Sequence, residues 1–364
     1  MKILALVTDA FGGYGGIAQY NRDLLTALAG MGQQNRLIVL SRTGGSYSGD
    51  LPNNLVQEAS IHNEIIYSFK SLWTLLTKGP FDMIYCGHIF MTPLAVVLSL
   101  LFRIPFWVCI YGIDAWQKPS RLVEWSIRIA SLVVSISRHT RRKFLSWSDV
   151  DPHRVRVLPC TVDKKFTPGP KPADLIKKYG LEGKKVLLII SRLSSDEKYK
   201  GHDKIIEIMP ALIKKYPDLV YVITGEGGDR ERLQKLAEKY GMSEKVIFTG
   251  KIADEILPDI YRMADVFVMP STGEGFGVVF LEAVACGLQV IGGNQDGSTD
   301  ALLDGEGGWI VDPESLDEIK KVIIETLDHS KVRTAKANRF YKQNFNDLVS
   351  QLCDKFRECS HETP

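Results

Sequence analysis

The chain has 364 residues, of which 45% are hydrophobic and 24% are charged, proportions that are typical of a folded globular protein and exclude collagen-like, coiled-coil and disordered chains. At roughly 150 residues per domain, this length predicts about two domains. The net charge of +2 divides unevenly: residues 1–165 carry 18 Lys and Arg against 11 Asp and Glu (+7), and residues 166–364 carry 27 against 32 (−5). This split either indicates an anionic partner for the first half or has arisen by chance.

Membrane, export and cysteine patterns are those of an intracellular protein. The longest apolar run, Met91 to Phe102, has 12 residues, whereas a spanning helix needs about 20. The N-terminus MKILALVTD lacks the basic flank and cleavage site of a secretory signal, so we expect a cytoplasmic protein. Six cysteines without a C-x-x-C pair predict reduced packing residues rather than a disulfide framework or a zinc site.

Short β-rich apolar runs alternate with longer amphipathic stretches, a pattern that predicts βαβ units and parallel sheets. In the first half, strands are predicted at Lys2 to Val7, Arg36 to Leu40, Asp82 to Tyr85, Phe106 to Ile110, Leu132 to Ser135 and Val155 to Leu158, with helices such as Ile17 to Ala29 and Leu122 to Ala130 between them. The proline-rich segment from Cys160 to Pro172 has no apolar periodicity. It predicts a linker, and we place the domain boundary there, after residue 165.

The second half repeats the pattern. Its predicted strands are Lys185 to Ile190, Val220 to Thr224, Val246 to Thr249, Val266 to Met269 and Val290 to Gly292; its predicted helices include Ile205 to Lys215, Arg230 to Tyr240, Val278 to Ala285, Leu316 to Leu327 and Val332 to Phe356. We therefore expect an α/β protein with two doubly wound parallel-sheet domains, residues 1–165 and 166–344, and a last helix, 345–360, that packs back on the first domain. Two such domains facing each other would form a cleft at the carboxyl ends of their strands, where open α/β sheets bind ligands.

A glycine-rich loop, GGYGGIA, follows the first predicted strand and begins at Gly12. Because glycines carry no side chains, the N–H groups of this loop can approach an anion at the start of the next helix. Gly13, Gly15 and Ala18 also fit the G-x-G-x-x-A dinucleotide fingerprint, but Ser41-Arg42-Thr43 stands where an acidic residue is expected. The loop predicts a phosphate site, with a bare tight turn and a dinucleotide site as alternatives.

Two cations lie between the first strand of the second half and the next helix. Arg192 follows the strand, and Lys200 opens the helix within KYKGHD. Cations are disfavoured at a helix N-terminus unless an anion binds there. Arg192 and Lys200 are therefore predicted anion ligands, whereas Lys198 fits a solvated charge run.

A glycine-punctuated loop, STGEGFG, follows the fourth predicted strand of the second half. Glu274 lies in this loop and Glu282 lies about one helical turn past it, so both carboxylates can face one ligand. The N–H groups of Phe276, Gly277 and Val278 would then point at its phosphates. Carboxylates of this kind accept hydrogen bonds from sugar hydroxyls; the alternative is that Glu274 only caps the helix.

Taken together, these motifs resemble the retaining glycosyltransferases of family four, whose GT-B fold consists of two Rossmann-like domains. The resemblance spans nearly the whole chain. It rests on GGYGG near the start, R-x7-K-G from Arg192 to Gly201, the turn Gly225-Glu226-Gly227, VIFTG from Val246 to Gly250, and E-x7-E from Glu274 to Glu282.

The resemblance implies roles for individual residues. Arg192 and Lys200 would neutralise the diphosphate of a nucleotide sugar. Glu282 would hold the ribose hydroxyls, and Glu274 the hydroxyls of the donor sugar. The implied catalytic set is His88, Asp114, Arg192, Lys200 and Glu274, and the implied donor-binding set is Gly13, Gly15, Gly16, Arg192, Lys200, Gly225, Lys251, Ile252, Glu274, Phe276, Gly277, Val278 and Glu282.

Within these sets, Gly15 and Gly16 would bind the distal phosphate, and His88 matches the histidine that the family keeps near the transferred sugar. Asp114 matches a family position at the cleft. Without the resemblance, His88 is as well explained as a structural loop histidine, and Asp114 as a turn residue. Two segments depart from the family pattern. Asp300 stands where a glutamate is usual, and Cys160-Thr161-Val162-Asp163 replaces a common Asn-Gly-Val-Asp.

The implied reaction transfers a hexose, with retention, from a nucleotide-diphosphate sugar to a glycan, glycolipid or lipid-linked acceptor in cell-envelope or polysaccharide synthesis. The motif KYKGHD resembles the form found in several mannosyltransferases and favours GDP-mannose, followed by a UDP-hexose. No nucleic-acid partner and no cofactor are expected. No metal is expected either, because the D-x-D of Asp149 and Asp151 fits helix termination. The alternatives are an NADP-dependent oxidoreductase that uses the glycine loop with Arg42, and a non-catalytic nucleotide-sugar-binding subunit.

Peripheral attachment to the inner face of the cell membrane is a further expectation. Cations alternate with apolar residues on two helical stretches of the basic half, a composition that suits a bilayer interface. The residues are Arg121, Trp125, Arg128, Ile129, Arg138, Arg141, Arg142, Lys143, Phe144 and Trp147. The alternative is two ordinary amphipathic helices that cover a sheet.

Overall fold

The structure is a computed structural model that describes residues 1–32, 34–45, 47, 49–328, 340 and 342–361. The chain divides into two compact units, residues 1–161 together with 342–364, and residues 162–341. Each unit is built around one parallel sheet.

The described residues form thirteen β-strands. They are β1 (Lys2–Val7), β2 (Arg36–Ser41), β3 (Leu55–Gln57), β4 (Met83–Cys86), β5 (Phe106–Ile110), β6 (Leu132–Ser135), β7 (Val155–Val157), β8 (Lys185–Ile190), β9 (Leu219–Thr224), β10 (Val246–Gly250), β11 (Val266–Met269), β12 (Gln289–Gly293) and β13 (Trp309–Val311). Most are continuous buried apolar runs, as expected for parallel strands covered on both faces.

Fourteen α-helices connect and cover these strands in the described residues. They are α1 (Gly16–Gly30), α2 (Glu64–Lys78), α3 (Thr92–Phe102), α4 (Ile113–Trp116), α5 (Arg121–Ile129), α6 (Arg138–Leu145), α7 (Ala173–Lys178), α8 (His202–Lys215), α9 (Arg230–Lys239), α10 (Leu257–Arg262), α11 (Val278–Ala285), α12 (Ser298–Ala301), α13 (Leu316–Asp328) and α14 (Lys342–His361). Among them, no helix combines the length and the apolar content that are needed to span a bilayer.

The strand order defines a doubly wound topology in each unit. The first sheet runs β3-β2-β1-β4-β5-β6-β7 and the second runs β10-β9-β8-β11-β12-β13. All strand pairs are parallel, so each connection crosses over the sheet. The direction of winding reverses between β1 and β4 in the first sheet and between β8 and β11 in the second, which makes these the topological switch points.

The predicted strands are confirmed, each within one residue at either end. Sequence analysis missed β3 and β13, which have three residues each and lie at an edge of their sheets. Such short runs carry too few residues to show a period of two. The predicted helix from Val332 to Phe356 is only partly covered: α14 begins at Lys342, and residues 332–339 lie outside the described part of the chain.

The C-terminal helix belongs to the first unit. Helix α14 packs on α1, and the rings of Phe345 and Phe356 contact Tyr20 and Trp107 of that unit at centroid distances of 6.0 Å. The five cysteines whose side chains are described are free thiols and buried.

Candidate functional site

The candidate residues follow the strands that flank the two switch points. In the first sheet the glycine loop follows β1 and His88 follows β4, while in the second Arg192 follows β8 and Glu274 follows β11. Loops at a switch point diverge to opposite faces of the sheet and leave a crevice between them. Each unit therefore brings its candidates together at the carboxyl edge of its own sheet.

The glycine loop of the first unit packs against a carboxylate. Helix α1 begins at Gly16, directly after Gly15. At Gly13 a Cβ would lie 1.9 Å from the Asp9 carboxyl group, so a larger residue there would displace the Asp9 side chain. Burial raises the pKa of Asp9, and the nearby Arg22 guanidinium opposes that shift. The acidic group at this loop was not predicted, because no spacing rule connects Asp9 with Gly13.

His88 and Asp114 form a half-enclosed polar pair in the first unit. His88 follows β4, and its Nδ1 accepts a hydrogen bond from the Phe90 N–H (3.3 Å), which leaves the proton of the neutral ring on Nε2. Asp114 accepts the Tyr111 N–H with both oxygens, at 3.3 Å each. Burial lowers the pKa of His88 and raises that of Asp114, while the attraction between the two groups opposes both shifts. The pair is suited to hold a proton at the edge of the sheet.

A buried hydrogen-bond network supports this edge. The hydroxyls of Tyr85 and Tyr111 both donate to Asn21 Oδ1, at 2.6 and 2.9 Å. Asn21 Nδ2 in turn donates to the backbone oxygen of Asp9 (2.8 Å). The network connects β4, β5 and α1 with the start of the glycine loop and fixes the relative positions of these elements.

In the second unit, Lys200 is held between two carboxylates. Its Nζ lies 2.8 Å from Glu197 Oε2 and 3.6 Å from Glu274 Oε1, and its side chain is only 11% exposed. Arg192 also forms an ion pair with Glu197, although its own side chain is 80% exposed. The structure thus brings Arg192, Lys200 and Glu274 together, as the sequence motif predicts, and adds Glu197 as the carboxylate that pairs with both cations.

The short 3-10 helix Ser195–Lys200 sets the position of Lys200. Gly201 ends it with a φ of +84° and also precedes α8. The next residue, His202, is buried with its Nε2 2.9 Å from Ser191 Oγ. Burial, reinforced by the Lys200 charge, lowers the pKa of His202 to about 4. A neutral His202 therefore ties the loop after β8 to the start of α8.

Glu274 is positioned by its backbone. Its N–H donates to Asp296 Oδ2 (2.8 Å), and its carbonyl oxygen accepts the Gly297 N–H (2.8 Å). Asp296 is fully buried and also accepts the hydroxyls of Ser271 (2.7 Å) and Ser298 (2.6 Å). Burial raises the pKa of Glu274, and Lys200 opposes this shift. Glu274 makes no capping contact with α11, which begins after Gly277.

Glu282 has surroundings of its own on α11. The Tyr261 hydroxyl donates to Glu282 Oε2 (2.6 Å). Burial raises the pKa of Glu282 to about 7, against the effect of that hydrogen bond. At the start of the same helix, Phe276 is buried against Phe340, with ring centroids 5.8 Å apart. Phe276, Gly277 and Val278 thus lie at the N-terminus of α11, where free N–H groups favour an anion.

The other predicted donor residues follow β9 and β10. Gly225 has a φ of +131°, and a Cβ there would lie 1.8 Å from the Ser191 backbone oxygen, so the loops after β8 and β9 meet only with glycine at this position. Lys251 is exposed and Ile252 half-buried, directly after β10. The buried Asp300, which departs from the family pattern, lies on α12.

Asp149 and Asp151 have partners within the chain. Asp149 forms an ion pair with Arg128, and Asp151 accepts the His153 N–H (2.8 Å) at the start of a 3-10 helix. Across the part of the chain that the structure describes, no group of three or more His, Cys, Asp or Glu side chains is arranged to hold a metal ion.

Helix α6 does not present its aromatic residue to solvent. Phe144, which sequence analysis assigned to a bilayer-facing surface, is fully buried, so that assignment is wrong. Trp147, just beyond the helix, is half-buried and donates its indole N–H to the Ala115 backbone oxygen (2.8 Å). Arg142 and Lys143 are exposed, whereas Arg141 donates to the Val155 backbone oxygen (2.9 Å).

Two doubly wound parallel sheets, each with charged groups and helix N-termini at its switch point, define a Rossmann-like α/β protein of the class that holds nucleotide-type ligands at strand ends. A family model described as "Glycosyl transferases group 1" matches residues 173–345, and one described as "Glycosyltransferase Family 4" matches residues 14–166. The two matches take in nearly the whole chain. The chain belongs to glycosyltransferase family four.

A similar curated protein is the GDP-mannose-dependent alpha-(1-6)-phosphatidylinositol monomannoside mannosyltransferase of Mycolicibacterium smegmatis. The two are 35% identical over 206 residues, which cover 54% of this chain and 53% of the relative. The chain thus spans about half the length of that relative.

Two solved structures share the GT-B fold over almost the whole chain. Anabaena HepE in complex with UDP has a TM-score of 0.78 at 20% identity and covers 98% of this chain and 100% of its own. Sucrose-phosphate synthase from Thermosynechococcus elongatus has a TM-score of 0.77 at 19% identity, with the same coverage of 98% and 100%.

Proposed function

We propose that this protein transfers a hexose, with retention, from a nucleotide-diphosphate sugar to a glycan, glycolipid or lipid-linked acceptor. GDP-mannose is the favoured donor and a UDP-hexose the next. The observation that carries the proposal is the buried cluster of Lys200, Glu197 and Glu274 beside the N-terminus of α11. A cation and free helix N–H groups suit a diphosphate, and a neighbouring carboxylate suits sugar hydroxyls.

The mechanism follows from where charge develops. When the bond between the anomeric carbon and the phosphate breaks, negative charge grows on the leaving diphosphate. Arg192, Lys200 and the N–H groups at the start of α11 stabilise that charge and lower the barrier by electrostatic preorganisation. On the front face of the sugar, the leaving phosphate oxygen takes the acceptor proton, so no protein nucleophile is required. Glu274 orients the donor sugar, Glu282 holds the ribose, and His88 with Asp114 belongs to the acceptor side.

Donor choice is testable by isothermal titration. The mannosyltransferase relative uses GDP-mannose by its name, and the KYKGHD motif agrees with that donor. We expect GDP and GDP-mannose to bind more tightly than UDP and UDP-glucose. Tight UDP binding with no GDP binding would contradict GDP-mannose as the donor and favour a UDP-hexose. The proposal that the protein is a transferase would not be affected.

Metal independence and catalysis are tested together. Transfer from GDP-mannose to a lipid-linked acceptor should continue at the same rate in excess EDTA. Nucleotide-sugar binding without transfer to any acceptor or hydrolysis would favour a non-catalytic binding subunit. For the oxidoreductase alternative, Arg42 would have to bind a 2′-phosphate, yet its guanidinium already pairs with Glu64 (2.8 Å) and His62 O (2.9 Å).

We further propose a cytoplasmic protein that associates peripherally with an anionic membrane through its first unit. The exposed cations Arg142 and Lys143 support an electrostatic contribution, since each cation near an anionic surface is worth about 1 kcal/mol. Binding to anionic vesicles that weakens in Arg142→Glu/Lys143→Glu would support this contribution. Unchanged vesicle binding of that variant would contradict an electrostatic contribution from Arg142 and Lys143.

A further inference from the structure

Helix α2 presents an apolar surface to solvent. Five of its large side chains, Ile65, Ile66, Phe69, Trp73 and Leu76, are between 59% and 68% exposed. Their spacing of one, three or four residues places them along one side of the helix. The outer side of α2 therefore carries a continuous row of aliphatic and aromatic groups.

The inner side of the same helix mixes apolar groups with hydroxyl groups that are hydrogen-bonded within the chain. Its buried residues are Tyr67, Ser71, Thr74 and Leu75. The Tyr67 hydroxyl donates to the Leu40 backbone oxygen (2.8 Å), and the Ser71 and Thr74 hydroxyls donate to carbonyls one turn earlier, also at 2.8 Å. A helix that only covers a sheet has its apolar side inward and its polar side outward. Helix α2 is apolar on its outer side as well as its inner side, so the outer side suits an apolar environment.

The apolar surface continues over the neighbouring helices. Helices α2, α3 and α5 contribute to one buried cluster on the same face of the first sheet, and α3 packs directly on α5. Together with the connecting segments, their outer surfaces expose seven more large apolar side chains. We name the whole set the α2–α5 face: Ile65, Ile66, Phe69, Trp73, Leu76, Phe90, Val97, Leu100, Leu101, Ile113, Leu122 and Trp125. It holds twelve of the sixteen large apolar side chains that are exposed in the described residues, and such a concentration marks an interaction site.

The charges of this region indicate the occupant. Two arginines of this region are exposed: Arg103 lies directly after α3, and Arg121 begins α5. Lys70 and Lys78, by contrast, both pair with Glu58. Helix α3 carries no charge at all. Apolar and aromatic side chains bordered by exposed arginines match the acyl boundary and the anionic headgroups of a bilayer.

We propose that the α2–α5 face docks this protein onto an anionic lipid bilayer, with the outer side chains of α2 and α3 inserted at the level of the acyl-chain boundary. The bilayer needs no complementary shape, so it covers three adjacent helices at once. This docking does not depend on the glycosyl-transfer reaction. It also differs from attachment by Arg142 and Lys143, because apolar insertion persists in salt that screens surface charges.

The first test is co-sedimentation with vesicles of phosphatidylcholine and phosphatidylglycerol at low and high salt. We expect wild-type binding to weaken but persist at high salt, and Phe69→Ser/Trp73→Ser to lose about tenfold in affinity under both conditions. Ile256→Ser, an exposed apolar position in the second unit (38% exposed), is the matched control and should bind like the wild type. Equal binding of the double variant and the wild type would overturn the proposal.

The second test locates the inserted residue. Trp73 emission should shift to the blue on vesicle addition and be quenched by brominated lipid. Trp73→Phe should remain bound while losing this part of the signal. A signal that is unchanged in Trp73→Phe would overturn insertion through α2. Sedimentation velocity without lipid gives a second outcome that would overturn the proposal. This outcome is a wild-type dimer that Phe69→Ser/Trp73→Ser abolishes, because the face would then be covered by a second copy of the chain.

Discussion

Replacing Lys200 and Glu274 by alanine, one at a time, separates diphosphate binding from sugar binding. Lys200 Nζ lies 2.8 Å from Glu197 and 3.6 Å from Glu274. At 3.6 Å and an effective dielectric constant of about 20, the attraction between Lys200 and Glu274 is about 5 kcal/mol before desolvation is subtracted. The net value of such a pair is much smaller, because both side chains are nearly buried.

The two substitutions have unequal consequences. Lys200→Ala leaves the carboxylates of Glu197 and Glu274 without their shared cation and raises the pKa of Glu274 further. Because Glu274 can then protonate, we expect the variant to fold, at a cost of about 2 kcal/mol. Loss of one charge-assisted phosphate contact, worth about 1.5 to 3 kcal/mol, should weaken GDP binding by roughly 10 to 150-fold.

Glu274→Ala leaves Lys200 paired with Glu197, so the cation stays in place. Its affinity for free GDP should change by less than about threefold, while transfer from GDP-mannose is lost. Isothermal titration with GDP and GDP-mannose, urea unfolding and a transfer assay measure these effects, and the exposed neighbour Lys198→Ala is the control. Equal loss of GDP affinity in both variants, or none in Lys200→Ala, would refute the assignment.

Three further predictions concern carboxyl groups whose pKa is raised by burial. The pKa of Glu282 is raised to about 7 in the folded protein. Between about pH 4.5 and pH 7 the folded state therefore holds a proton that the unfolded chain has released, so the free energy of unfolding falls as the pH rises through this range. Urea unfolding should show that the wild type loses up to about 3 kcal/mol relative to Glu282→Gln between pH 5 and pH 8. Asp296→Ala should cost about 3 kcal/mol, because it leaves the Glu274 and Ser298 N–H groups and the Ser271 and Ser298 hydroxyls without their shared acceptor. The exposed control Asp317→Ala should leave the free energy of unfolding nearly unchanged in the same measurement. Asp9→Asn should bind nucleotide sugar several-fold more tightly than wild type at pH 8, where the carboxylate repels a phosphate at the glycine loop. Because burial raises the pKa of Asp9, isothermal titration at successively lower pH should show this difference shrink as the Asp9 carboxylate protonates.

Much of the fold is predictable from local pattern. The strands of a parallel sheet are buried on both faces, so β1, β5, β8 and β11 appear as apolar runs with sharp ends. The loops that follow such strands can be located from the sequence, and this is why the glycine loop and the E-x7-E segment were found. The edge strands β3 and β13 were missed because each has only three residues. The equally short β7 was predicted because the buried Leu158 prolongs its apolar run.

The partners of the candidate residues depend on contacts that sequence spacing does not encode. Asp296 lies 22 positions from Glu274, yet it accepts that residue's N–H because the loops after β11 and β12 meet at adjacent strand ends. Glu197 is close to Lys200 in sequence, but its pairing depends on the 3-10 turn that aims both side chains inward. These are properties of packed loops, and they require the tertiary structure.

Sequence alone determined that this chain forms βαβ units and which loops carry glycines, cations and carboxylates, because the periodicity of buried strands and the chemistry of those residues are local. Only the tertiary structure decided which side of each helix faces the sheet. Helix α2 carries apolar residues on both of its sides, so its sequence does not say which side packs on the sheet. In the structure Tyr67 and Leu75 lie in the core, and the Tyr67 hydroxyl donates to the Leu40 backbone oxygen. Packing against β2 therefore turns Phe69 and Trp73 outward, and exposure of those two rings follows from the position of the helix on the sheet.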